Sequence, residues 1–286
     1  MKKKLLLLTG QGFLGLNFIK NFKKKFYLTI AGTFNNKLIN YKISKKVKII
    51  NKNIFKIKKF KNNGSYVIIT TLNSTEANFY NKFKVLIKNL KITNPKKVIL
   101  ISTAVIKNKK QVKFNSDLYK YIKNAEVAEK ICSENFNNLI ILRVSNIFGP
   151  LKNKPSFIEK IIISSTNKSN FIYYKFNLIR SYIYVDEFCK IIKKILDTKM
   201  KKNLYYISNK NFILSTNQIL KVFLKLKCKF NINYNKKSPE VIKYIVNPSV
   251  FENEVKFKFE NNFMKRLKHT KIFYDSYYHK RKVFFL

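Results

Sequence analysis

The run LLLLTGQGFLGLNF, residues 5–18, limits what this chain can fold into more than any other feature. Four consecutive leucines cannot alternate between a core and water. A strand that is apolar at every position must be covered on both faces, as in a parallel sheet with helices above and below. Gly10, Gly12 and Gly15 then stand as G-x-G-x-x-G directly behind the strand. The lysines ahead of the leucines imitate a secretion signal, but the glycines interrupt the apolar run and no small-residue cleavage site follows. A buried strand entering a glycine turn fits better. No run of about 18 apolar residues occurs elsewhere, so no transmembrane helix is expected.

The rest of the chain repeats that theme. Short apolar runs at Lys4–Thr9, Tyr27–Gly32, Val47–Ile50, Tyr66–Thr70, Lys97–Ser102 and Leu139–Val144 read as buried strands. Helical periodicity marks Leu14–Lys25, Glu76–Leu90, Leu118–Glu134, Asp186–Leu196 and Thr216–Leu226, with Ser215 or Thr216 as the cap of the last. Strands alternating with helices predict an α/β, Rossmann-like, doubly wound parallel sheet. Residues 1–150 would form a dinucleotide-binding domain whose sheet is completed from 178–208. Past Pro150 the pattern loosens. Residues 151–177 and 209–286 read as polar loops and isolated aromatic strands, a smaller C-terminal lobe for substrate.

Each glycine of the turn has a physical task. The first allows the tight turn, the second lets a pyrophosphate approach the backbone, and the third lets the helix pack closely on the strand. The helix N-terminus adds unpaired N–H groups and a positive dipole end. Gly10, Gly12, Phe13, Leu14 and Gly15 are therefore the expected cofactor contacts. An acidic residue about 20 residues on would hold the adenosine ribose of NAD. The second strand ends instead in Thr33, Asn35, Asn36 and Lys37. Without a carboxylate to repel a 2′-phosphate, and with Lys37 able to pair with one, NADP is slightly favoured over NAD.

Charge invites a different reading. Sixty basic against 14 acidic residues leave a formal net charge of +46, which suggests a nucleic-acid or anionic-membrane partner. Only four of the basic residues are arginine, the residue whose planar fork suits phosphate and base recognition. Lysine is scattered through every segment alongside abundant Asn, Ile, Phe and Tyr. That is the signature of A+T-rich coding, so neither nucleic acid nor membrane is expected as a partner. Three widely spaced cysteines form neither a metal pattern nor a disulfide framework, which points to a reducing, cytoplasmic setting and no bound metal.

Five segments together resemble the extended short-chain dehydrogenase/reductases, specifically the NAD-dependent epimerase/dehydratase group that acts on nucleotide sugars. TGQGFLG (9–15) resembles that family's N-terminal turn, with one residue fewer between its first two glycines. VILISTAV (98–105) resembles the strand that ends in a catalytic Ser/Thr. ILRVSNIFGP (141–150) resembles Leu-Arg-x-x-Asn-x-Tyr-Gly-Pro, and RSYIYVDEF (180–188) resembles Arg-Asp-Phe-Ile-Tyr-Val-Asp-Asp. NLYYISNKNFILSTNQI (203–219) resembles the strand and helix that follow. The resemblance implies NAD(P) on the first domain and a nucleotide-diphosphate sugar in the cleft below. It carries a substrate contact onto Asn146 and a diphosphate contact onto Arg180, whose fork suits that task. Asp186 and Glu187 read more simply as residues capping the helix that starts there. Ser102 and Thr103 both remain candidates for the catalytic hydroxyl. A homodimer through the tyrosine-bearing helix is expected from the resemblance alone.

The family's acid/base is a tyrosine followed four residues later by a lysine. SDLYKYIKNAEVAEKI (116–131) offers two frames. Tyr119 and Lys123 match literally, whereas Tyr121 is followed by Ala125. At about 100° per residue, Leu118, Tyr121, Ile122, Ala125, Ala128 and Cys132 share the apolar face of a helix. Tyr119, Lys123, Glu126 and Lys130 lie opposite. The family's Ala-Glu pair falls at Ala128–Glu129, eight residues after Tyr121. Tyr121 is thus the expected acid/base, its lysine replaced by Ala125, and Asn53 stands where the family usually has an Asp near the adenine. Two readings follow: an active epimerase, dehydratase or reductase whose tyrosine is helped by another group, or a degenerate protein that binds a dinucleotide or sugar nucleotide without turnover.

Overall fold

A computed structural model describes residues 2–9, 12–33, 41–60, 64–70, 78–152, 154–235, 239–280 and 284–285. The first strand, Lys3–Leu8, lies inside a seven-stranded sheet. The strand order is Leu204–Ile207, Leu139–Val144, Lys97–Thr103, Tyr66–Ile69, Lys3–Leu8, Phe26–Ala31 and Lys48–Ile50. Every pairing is parallel. The chain winds outward from Lys3–Leu8 in one direction, returns to Tyr66–Ile69, and winds outward in the other. Between those two strands lies the switch point, at whose carboxyl ends ligands bind in such sheets.

Alternate leucines of the first strand feed two cores. Leu5 and Leu7 pack with Phe18, Ile19 and Phe22 of the helix Phe13–Phe22, and with Phe188, Ile191 and Ile192 of the helix Val185–Asp197. Leu6 and Leu8 pack with Phe83, Leu86 and Ile87 of the helix Phe79–Lys91, and with Ala128, Ile131 and Cys132 of the helix Asp117–Asn135. All four leucines are fully buried, and each contributes about 1.5–3 kcal/mol of transfer free energy. The expected start of the second helix at Glu76 lies outside the described residues.

The second half departs from the sequence reading. In the stretches expected to hold loops and isolated strands, the chain also forms the helices Phe157–Asn167, Ser249–Val255 and Phe263–Lys280. The first carries a capping box from Ser156 to Glu159, a signal visible in the sequence. The last buries Phe263, Leu267, Thr270 and Tyr274 along one stripe. A threonine and a tyrosine within that stripe, and lysines between its members, hide its apolar period. The first and last of these helices close on a third core built from Phe148, Phe157, Phe212, Phe263 and Tyr274, while Phe251 and Val255 of Ser249–Val255 pack into the core of Leu5 and Leu7.

A small sheet joins this core to the large one. Its central strand Ile179–Tyr184 pairs in parallel with Asn146–Phe148 and with Lys243–Tyr244, and antiparallel with Ile213–Ser215. Asp186 and Glu187 sit in the first turn of the next helix, where their charge suits its dipole, but neither caps it: the N-cap is Tyr184 and no side chain bonds that end. Glu187 goes further: it is buried and accepts hydrogen bonds from Asn209 Nδ2 at 2.9 Å and the Glu260 backbone N–H at 2.8 Å.

The turn that leads out of Asn146–Phe148 is tightly bounded. Gly149 has φ +144°, and a Cβ there would lie 2.6 Å from Val185 Cγ1. Gly149→Ala should lower the unfolding free energy by about 1–3 kcal/mol through backbone strain and overpacking. Urea denaturation would measure this, and an unchanged midpoint would show that the turn can shift without penalty.

Candidate active site

A cleft of about 840 Å³ opens where the sheet strands end. Its floor includes Thr70, Ser102, Thr103, Val144 and Ser145, all at or just past the carboxyl ends of parallel strands. Phe13 and Leu14 enter from the glycine turn, Tyr121 from the helix Asp117–Asn135, and Asn146 and Arg180 from the small sheet. Seven residues singled out from the sequence thus meet in one cleft. Gly15 is buried inside the helix Phe13–Phe22. Gly10 and Lys37 lie outside the described residues.

The glycine turn suits a phosphate. Gly12 is the N-cap of its helix, and no side chain caps that end or places a negative charge in its first turn. Among the described residues, a Cβ on Gly12 would meet only Thr9 O, at 3.8 Å. No described atom therefore demands glycine at this position, which leaves room for a ligand above its α-carbon. The residues present fit the pyrophosphate of a dinucleotide. Asn53 serves its own backbone, accepting from the Phe55 N–H at 3.0 Å.

The two candidate hydroxyls have different partners. Ser102 Oγ donates to Glu129 Oε1 at 2.5 Å. Glu129 also accepts from Arg143 Nε at 3.0 Å and Nη2 at 2.6 Å, and Arg143 Nη1 donates to Tyr206 OH at 2.7 Å. The bonded Glu129 carboxylate holds the Arg143 guanidinium well above its ordinary pKa. Ser102 is therefore tied into a buried ion pair that fastens the strands Lys97–Thr103 and Leu139–Val144 to the helix Asp117–Asn135. Thr103 caps the following 3-10 turn, accepting from the Val105 N–H at 3.4 Å, and lies beside Tyr121, where its hydroxyl favours the ionised tyrosine.

Helical phase places the tyrosines as the sequence led us to expect. Tyr121 lines the cleft, and Ile122, Ala125, Ala128 and Cys132 are buried on the face it shares. Tyr119 and Lys123 instead border a separate outer hollow of about 420 Å³ with Phe79 and Tyr80. The Tyr119 ring packs 5.0 Å from Phe114, and Lys123 is exposed. Ala125 leaves no cation one turn along from Tyr121. Burial pushes the Tyr121 hydroxyl above the usual tyrosine range, and the Thr103 hydroxyl beside it works against that rise.

Arg180 is held by backbone alone. It donates to the carbonyls of Ile179 at 3.0 Å and Ile242 at 2.5 Å, and to that of Val241. Among the described residues no carboxylate forms a salt bridge with it. Desolvation holds its pKa below the ordinary value. A half-buried guanidinium without a counter-charge is poised for an anion. Asn146 Nδ2 donates to Ser181 O at 3.2 Å.

Sequence reasoning missed three features of the cleft. Lys152 is the one lysine among its described lining residues; it donates to Ile147 O at 2.7 Å and Ser156 Oγ at 3.0 Å and pairs with Glu159 at 3.5 Å. Glu240 reaches from a distant segment to accept from the Lys113 N–H at 2.9 Å and Ser116 Oγ at 3.0 Å. Ser145 lies within the Arg143–Asn146 motif itself, where only the neighbouring Asn146 drew attention.

No protein-family model matches the sequence, and no curated protein matches it. Solved structures do match. An NAD-dependent NDP-hexosamine 5,6-dehydratase involved in tunicamycin biosynthesis aligns with a TM-score of 0.77 at 11% identity, covering 96% of this chain and 98% of its own. UDP-glucuronic acid 4-epimerase from Bacillus cereus, in complex with UDP-glucuronic acid and NAD, aligns at 0.76 with 16% identity, covering 96% of this chain and 100% of its own. UDP-N-acetylglucosamine 4-epimerase from Methanobrevibacter ruminantium M1, in complex with UDP-N-acetylmuramic acid, aligns at 0.74 with 19% identity, covering 96% and 99%. At these identities the likeness establishes the fold, the one expected from the sequence resemblance, over nearly the whole chain. In the described residues no helix is long and apolar enough to cross a membrane.

Two measurements probe this geometry. Glu129→Gln should cost roughly 3–5 kcal/mol of stability, because it leaves the Arg143 charge without its partner; a chemical melt reads the change. The raised pKa of Tyr121 means that the folded state holds this proton more tightly than the unfolded chain. Its linkage is therefore silent below the unfolded value near 10 and removes stability as pH rises past it. Tyrosinate absorbance of the folded protein, compared with Tyr121→Phe, should show the missing titration above pH 10. A difference titrating below 10 would contradict the burial argument.

Proposed function

We propose that this chain binds NAD(P) and a nucleotide-diphosphate sugar in the cleft, and acts as an epimerase, dehydratase or reductase with Tyr121 as acid/base. One observation carries the reading: the glycine turn, Thr103, Tyr121, Asn146 and Arg180 come from five separate segments and line one cavity. The fold neighbours add support, since two carry nucleotide sugars and one carries NAD in the same frame. Residues 1–150 would form the dinucleotide half, and 151–177 with 209–286 the substrate lobe. A cytoplasmic homodimer through the tyrosine helix is part of the proposal.

Each residue has a task. Gly12, Phe13 and Leu14 would receive the pyrophosphate of the dinucleotide, whose nicotinamide, when bound, would accept and return a hydride. Arg180 would pair with the diphosphate of the sugar nucleotide, and Asn146 would hold the sugar. Tyr121 would exchange a proton with a sugar hydroxyl or carbonyl, with Thr103 polarising the same oxygen. Ser102, bonded to Glu129, is better suited to holding the strand end in place. NADP is slightly favoured because the second strand ends without a carboxylate.

Ala125 favours a second reading, catalytic degeneracy. A cation within about 4–6 Å lowers a tyrosine's pKa by roughly 1–3 units; here that position is a buried alanine. Binding without turnover would follow if nothing replaced the charge.

The test is an assay with oxidised and reduced NAD and NADP against a panel of UDP-, GDP-, CDP- and dTDP-sugars. The active reading expects turnover that falls about 10²–10⁴-fold in Tyr121→Phe and is unchanged in Lys123→Ala. Saturable binding with no turnover, restored by Ala125→Lys, would establish the degenerate reading. Loss of activity in Lys123→Ala would overturn the Tyr121 frame.

A further inference from the structure

Ser145 has no task in the mechanism above, yet its position is unusual. It links the strands Leu139–Val144 and Asn146–Phe148 and lines the same cleft as Tyr121 and Thr103. Only 7% of it is exposed. Its backbone N–H is committed, donating to Ile207 O at 2.9 Å. Its Oγ has no hydrogen-bond partner among the described residues.

Buried hydroxyls in folded proteins are nearly always paired, and an orphan calls for a specific reason. The described residues contain one other such side-chain atom, Asn17 Oδ1. Asn17 is anchored through its amide nitrogen to Phe13 O at 2.9 Å and Pro150 O at 3.0 Å, and it does not line the cleft. Ser145 differs on both counts. The neighbouring described polar groups are already engaged: Thr103 Oγ1 with the Val105 N–H, Asn146 Nδ2 with Ser181 O, and Tyr244 OH with Val144 O at 3.5 Å. With no described neighbour left to pair with it, a ligand in the cleft is the partner that Ser145 Oγ awaits.

We infer that Ser145 Oγ is a ligand-binding hydroxyl that pairs with an uncharged hydrogen-bonding group, a sugar hydroxyl or a carboxamide, on the molecule held beside Tyr121. A serine hydroxyl both donates and accepts, which matches groups that do the same. The described cationic groups lining the cleft are Arg180 and Lys152; neither bonds this hydroxyl, and Lys152 is paired with Glu159 at 3.5 Å. The inference rests on the proposed dinucleotide and sugar-nucleotide reading, and it adds a residue that would help to position the reacting end.

The experiment compares wild type with Ser145→Ala, using Ser208→Ala as a control. Ser208 is also buried but paired, its Oγ donating to Val246 O at 2.9 Å. Ligand-free thermal melts should show Ser208→Ala destabilised and Ser145→Ala unchanged or more stable, since the latter removes an unpaired group. Binding is then titrated with NADH against ADP-ribose, and with UDP-glucose and UDP-N-acetylglucosamine against UDP. Ser145→Ala should weaken a complete ligand about tenfold, the scale of one hydrogen bond, and leave its truncated counterpart unaffected. Loss confined to NADH would identify the carboxamide; loss confined to the UDP-sugars would identify the sugar. Unchanged affinity for every ligand, equal loss for complete and truncated forms, or a lowered melting temperature in Ser145→Ala would overturn the inference. If wild type bound none of the five, nor NADPH or a GDP-, CDP- or dTDP-sugar, the reading of the cleft itself would fall, an outcome distinct from the others.

Discussion

Burial of the first strand on both faces is the constraint from which the rest follows. Leu5 and Leu7 need cover on one side, Leu6 and Leu8 on the other, so helices must lie on both. Parallel pairing then aligns the carboxyl ends of all seven strands along one edge. The reversal of winding beside Lys3–Leu8 leaves a gap at that edge which no crossover helix covers. Glycine turn, Thr103, Ser145 and the tyrosine helix reach the gap because each follows or flanks a strand end there. The chemical arrangement is thus a consequence of how an unbroken leucine run is covered.

Electrostatics in this chain separates into a surface and an interior. The surplus of lysine covers the outside, where it shapes long-range potential more than fold. The few acidic residues include three that are buried, Glu129, Glu159 and Glu187, and each accepts several hydrogen bonds inside. Three of the four arginines do work that a lysine's single point charge would do poorly. Arg143 grips Glu129 with two nitrogens, Arg266 does the same to Glu260, and Arg180 spans three carbonyls. Where a planar fork is needed, arginine is present despite a composition that otherwise supplies lysine.

Much of this was legible in advance, for reasons that vary by element. The first-half strands stand out because each is apolar at consecutive positions, and the helices between them because their apolar period is clean. Helical phase alone separates Tyr121 from Tyr119, since two residues on a helix are about 200° apart. The helices Phe157–Asn167 and Phe263–Lys280 stayed hidden because tyrosine, threonine and lysine blur the apolar stripe. Lys152 and Glu240 stayed hidden because their places in the cleft depend on contacts across long sequence separations, such as Glu240 with Ser116.

The sequence by itself determined the two-faced sheet, the glycine turn, and a tyrosine whose fourth neighbour is alanine, because these depend on local period and spacing. Only the tertiary structure decided which hydroxyl accompanies Tyr121. Ser102 and Thr103 are adjacent in a strand, so their side chains point to opposite faces. Ser102 meets the Glu129–Arg143 pair while Thr103 caps the next 3-10 turn beside Tyr121, and no local pattern states which is which. The orphaned Ser145 hydroxyl belongs to the same class. A missing partner becomes visible only when every group around it has been placed.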